Sequence, residues 1–155
     1  MSTTPSAAEV LDRELANTRR QGIVTAAAIA VAVAGAFDLI GALQLWSAVW
    51  LLGLYEYVPW GLLGLGAGLV FLGSRIYSQR LRALLAGIVL VSLSALATGA
   101  WAARTAMGGF LSLLGVLMPL GSLAAAIIAG MAWGPIARTA EARKRAAAAG
   151  FDLNL

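Results

Sequence analysis

The sequence predicts an all-α integral membrane protein: a four-transmembrane-helix up-and-down bundle with short cytoplasmic terminal helices. Three observations carry that prediction. Of 155 residues, 61% are hydrophobic and only 12% charged, about half the charged share of an ordinary soluble domain. The apolar residues come in runs of roughly 17 to 30, and a bilayer-crossing helix needs ~20. The basic residues interrupt these runs rather than entering them, so they punctuate spans.

Three parts follow: a cytoplasmic segment over 1–20, a four-span domain over 21–136, and a basic cytoplasmic helix and tail over 137–155. The chain opens on some twenty polar or mixed residues, including Glu9, Asp12 and Glu14, which is not the short basic start and immediate apolar core of a cleavable signal. Ser6 to about Arg20 reads as a short helix, because Ser6 and Glu9 have the S-x-x-E capping-box spacing. Val10, Leu11 and Leu15 give it a narrow apolar stripe, suited to the membrane interface or to packing beneath the spans.

The first span is expected over about 22–45, after which the chain turns along the outer surface. Trp46, Trp50, Tyr55, Tyr57 and Trp60 cluster there, as amphipathic rings do at headgroup level. The second span, 59–74, starts on Pro59, whose missing N–H costs nothing in a first turn. Gly64 and Gly68 form a GxxxG pair, a pattern that lets two helix backbones approach closely in lipid. The third span covers 83–103 and ends on Arg104. A Gly108-Gly109 turn leads into the fourth, 110–135, where Pro119 should kink the helix. Ala126, Gly130 and Gly134 form a second small-residue stripe. A helix over 137–149 should stop at Gly150, and Phe151, Leu153 and Leu155 would share one face of an extended tail that a cytoplasmic partner could take by strand addition.

Charge sets the direction. Arg13, Arg19 and Arg20 precede the first span; Arg75, Arg80 and Arg82 lie between the second and third; Arg138, Arg143, Lys144 and Arg145 follow the fourth. The opposite side holds only Arg104. The positive-inside rule then puts both termini in the cytoplasm of a cell (inner) membrane, with Arg19, Arg20, Arg75, Arg80 and Arg82 at lipid headgroups. The Ala, Arg and Gly bias fits a GC-rich bacterial source.

Asp38 is the residue to explain, because an acid within hydrocarbon costs a few kcal/mol unless it finds water, a partner or a proton. Three readings compete. Asp38 pairs with Arg104, lies near outer headgroup water and the loop at Tyr57, or binds a cation or proton on a transport path. At ~1.5 Å per residue, Asp38 would stand roughly 24 Å above Gly22 and Arg104 roughly 33 Å above Arg82, both toward the outer face. Gln44 should make an interhelical hydrogen bond, and Glu56 sits ahead of the second span, where a carboxylate suits the helix dipole.

The chain has no cysteine and no histidine. Disulfides, thiolate metal sites, cysteine nucleophiles and the usual haem ligand are thereby excluded. No phosphate loop, dinucleotide fingerprint or nucleophile elbow occurs. The expectation is a non-enzyme with no cofactor, no metal and no nucleic-acid partner, surrounded by lipid. The leading reading is a non-catalytic membrane subunit that self-associates or joins a larger complex, since one bundle of four cannot use every small-residue stripe internally. The alternative is a small oligomeric channel, or an ion- or proton-coupled transporter, using Asp38.

Overall fold

The computed structural model describes residues 6–20, 22–52, 57–107 and 113–149. Among them are six helices: α1 (Ala7–Arg20), α2 (Ile23–Leu52), α3 (Tyr57–Tyr77), α4 (Leu81–Met107), α5 (Leu113–Met131) and α6 (Trp133–Ala148). Ser6 and Glu9 close the capping box at the start of α1. The Ser6 N–H donates to Glu9 Oε2 at 2.9 Å, and the Glu9 N–H donates to Ser6 Oγ at 3.3 Å, so two otherwise unbonded donors are satisfied reciprocally. Stretches of α2, α3 and α4 (Ile23–Trp46, Tyr57–Tyr77 and Leu81–Arg104) are each long and apolar enough to cross a membrane; α5 and α6 make a fourth if that bent pair counts as one.

The four apolar helices pack as a ring in which α2 touches α3 and α5, and α4 touches α3 and α5. Neighbours run antiparallel: Gly35 meets Gly66 while Ala28 meets Gly73 across α2–α3, and Ser94 meets Ser122 while Gly99 meets Pro119 across α4–α5. Val31, Leu69, Leu84, Val91 and Ile136 fill the centre. Large apolar side chains including Ile29, Leu43, Phe71, Leu96, Leu120 and Ile127 point outward. A surface this apolar would be an aggregation liability in water.

Close packing falls on glycines other than those singled out by spacing. A methyl group on Gly35 would lie 2.6 Å from the Gly66 carbonyl oxygen, and one on Gly73 would lie 2.8 Å from the Ala28 carbonyl oxygen. At these two points backbone meets backbone. Gly64 has nothing within 4 Å of such a methyl and is exposed, and Gly68 meets only the end of Leu90 at 3.7 Å. The buried face of α3 is Pro59, Leu62, Gly66, Leu69, Gly73 and Ile76. Gly64 lies two residues from Gly66, hence about 200° around the helix. Gly130 and Gly134 are likewise exposed with open space beside them, and Ala126 is half-buried at the edge of the core.

Three boundaries differ from expectation. The first apolar helix does not turn at Leu45 but continues to Leu52. The chain stays helical through Pro119, and the break comes at Ala132, where the two halves bend by 43°. Pro135 accounts for that position: it lacks an N–H and its ring displaces the carbonyl four residues back, that of Met131. The final helix consequently starts at Trp133 rather than Ala137. Glu56, the Gly108-Gly109 turn, Gly150 and the Phe151–Leu155 tail lie outside the described residues. At the basic end, α1 packs on α6 through Leu11, Leu15, Ala142 and Ala146.

Candidate functional site: a polar junction at mid-height

Each of three helices brings one polar side chain to the same point by helical period. On α2 the buried positions Val31, Ala34, Asp38 and Ala42 recur at spacings of three and four; on α4 they are Leu84, Val91, Ser94 and Thr98; on α5 they are Met118, Ser122, Ala125 and Ala129. An acid or hydroxyl on such a stripe must face the interior. Asp38 and Ser94 are 0% exposed and Ser122 is 1% exposed. Asp38 lies midway along the 30-residue α2, Ser94 midway along the 27-residue α4, and Ser122 midway along the 19-residue α5.

The hydrogen bonds have a direction. Ser94 Oγ donates to Asp38 Oδ2 at 2.6 Å. Ser122 Oγ lies 3.1 Å from Ser94 Oγ. A hydroxyl has one hydrogen, and that of Ser94 is on the carboxylate, so Ser122 donates to Ser94. Thr98 Oγ1 donates to the Ser94 carbonyl at 2.7 Å, the back-bond by which a mid-helix threonine satisfies itself. Two hydroxyls in series thus point at Asp38. Its other oxygen, Oδ1, is buried and has no hydrogen-bond partner.

Asp38 does not pair with Arg104. Ser94 holds one carboxylate oxygen, the other accepts no hydrogen bond, and Arg104 is exposed near the far end of α4. Ten residues separate Ser94 from Arg104, about 15 Å of helix. Because α2 runs on to Leu52, Asp38 lies midway along that helix rather than near its outer end. Gln44 is exposed on α2. Trp46 and Trp60 meet edge to face with centroids 4.7 Å apart, and Tyr57 is exposed beside them. At the opposite end Arg75, Arg80 and Arg82 are exposed, and the Arg75 guanidinium lies 5.1 Å from the centre of the Phe71 ring. Arg19 and Arg20 close α1.

Ser94, Ser122 and Thr98 were not predicted as site residues. Taken one at a time they are isolated hydroxyls in apolar runs. Their signal is that each holds a core position in its own helix while the neighbouring core positions are apolar.

A lone carboxylate among hydroxyls and hydrocarbon must be neutralised, because an isolated buried charge is far too costly to persist. The groups present allow two means. A proton can sit on Oδ1, or a small monovalent cation can be held by Oδ1 and the serine oxygens. A single acid matches a single positive charge. Comparison with family models, curated proteins and solved structures finds no match for this chain.

Proposed function

We propose that the protein is a small ion- or proton-coupled membrane channel or transporter in which Asp38 carries the proton or monovalent cation. One observation carries this reading: a fully buried carboxylate, at the mid-height of three apolar helices, has one oxygen held by Ser94 and the other without a partner. Intramembrane acids facing a bundle interior are typical of ion pathways and proton relays, and coupling sites lie near the midplane. In this proposal α2, α3, α4 and α5 are four spans, with both termini in the cytoplasm of the inner membrane because the basic residues favour that side. Conservative replacement tests it. Asp38→Asn keeps the size of the side chain but cannot exchange a proton or balance a cation. Liposomes holding the purified variant should show no flux above empty liposomes, whereas the wild type does.

A second reading, a non-catalytic subunit that self-associates or joins a larger membrane complex, is favoured by the outward placement of Gly64, Gly130 and Gly134 with open space beside them. Small residues of this kind let a further helix approach. The mass of the detergent-solubilised particle separates the two. If Asp38→Asn changes that mass and neither form supports flux, the subunit reading stands and the transport reading falls.

A further inference from the structure

The turn joining α3 to α4 carries a cluster that the mid-height junction does not use. Gln79 adopts φ 56° there, in the left-handed region, and is only 3% exposed. Neither its amide nitrogen nor its amide oxygen has a hydrogen-bond partner. Buried amides are normally satisfied, so a strained and buried turn glutamine with both ends open needs an explanation. Immediately before it, the Ser78 carbonyl accepts a bond from Arg143 Nη2 of α6 at 3.4 Å. The Nε of the same guanidinium is buried and unpaired. Burial, and after it the charge of neighbouring Arg80, lowers the Arg143 guanidinium from its ordinary value. Two like charges are therefore held close together.

We infer that the α3–α4 turn and α6 form a binding site for a phosphate group, either the headgroup of an anionic phospholipid or free phosphate. A phosphate supplies acceptors for Arg143 Nε and the Gln79 amide nitrogen, two buried donors that have none among the described residues. Arginine suits it through its planar fork of donors. The position favours a lipid, because the turn closes two apolar helices and so lies at headgroup level in the proposed orientation. The inference does not depend on what Asp38 does.

The test is the thermal stability of the whole purified protein in detergent. One arm adds phosphatidylglycerol against phosphatidylcholine; the other adds inorganic phosphate against chloride at equal ionic strength. The wild type should be stabilised by phosphatidylglycerol, by phosphate, or by both, and the arms identify the source. Arg143→Gln should raise the half-maximal concentration on the order of tenfold, the loss of a charge-assisted bond, while Lys144→Gln, an exposed neighbour on α6, leaves it unchanged. Gln79→Gly guards against a variant that merely misfolds, since glycine accepts positive φ freely; it should fold and still lose part of the response. No stabilisation of the wild type in either arm, or equal losses in Arg143→Gln and Lys144→Gln, would overturn the site.

Discussion

The α2–α3 seam and the α2–α4–α5 junction share one helix and are built on opposite principles. At the seam, Gly35 and Gly66 bring two backbones together until no methyl group fits. Where these glycines meet, the attraction is van der Waals contact between closely packed backbones, as expected where lipid competes for every apolar surface. At the junction, three residues further along α2, a carboxylate meets two hydroxyls and keeps one oxygen unbonded. The seam is complete and has no spare capacity. The junction is incomplete, and an incomplete buried site is where a transferable proton or cation can reside.

That contrast can be broken at either end. Gly35→Val should do the most damage. Its side chain would press on the Gly66 carbonyl and on Leu69, and because backbone cannot swing aside, the cost should reach about 3 kcal/mol or prevent folding. Denaturant or thermal unfolding of the purified protein measures it, and wild-type stability in this variant would contradict the packing described. Ser94→Ala should cost less, about 1 to 2 kcal/mol, because among the described residues it removes the one hydrogen bond to Asp38 and leaves a buried carboxyl with none. Ser122→Ala removes a donor one step back from the acid and should cost about 0.6 kcal/mol, typical of hydroxyl bonds between membrane helices. If Ser122→Ala matches Ser94→Ala, the hydroxyl series runs in a different order from the one deduced. Gly64→Ala should be neutral or slightly stabilising, since nothing stands beside it and alanine favours helix. A marked change in particle mass in that variant would instead place Gly64 at a contact between chains.

The contrast also explains which features could be read beforehand. The presence of several helices long and apolar enough to cross a membrane, and the position of the first helix start, follow from local rules: run length against bilayer thickness, and the Ser6–Glu9 box. The seam did not follow. A GxxxG spacing states that two glycines share a face, not that the face is buried, and the α3 face holding Gly66 and Gly73 won because it opposes the small residues Ala28 and Gly35 of α2. Pro119 and Pro135 show the same limit. Either could break the helix by its position in the sequence, and the break falls at Ala132, just ahead of Pro135. That Asp38 needs a polar partner is legible because an acid inside an apolar run is costly wherever it points. Its partner was not, because an arginine is conspicuous in sequence and a serine is not. Its position relative to the helix ends depends on the length of α2, and the cluster of aromatic residues after Leu45 suggests a turn where the helix continues to Leu52.

The most direct test of the central claim is proton and sodium flux into liposomes containing purified wild-type protein or Asp38→Asn, each checked for equal helix content and particle mass. Measurable flux is expected for the wild type in one of the two assays and none for Asp38→Asn. Equal flux in both forms, or none in either, would contradict it.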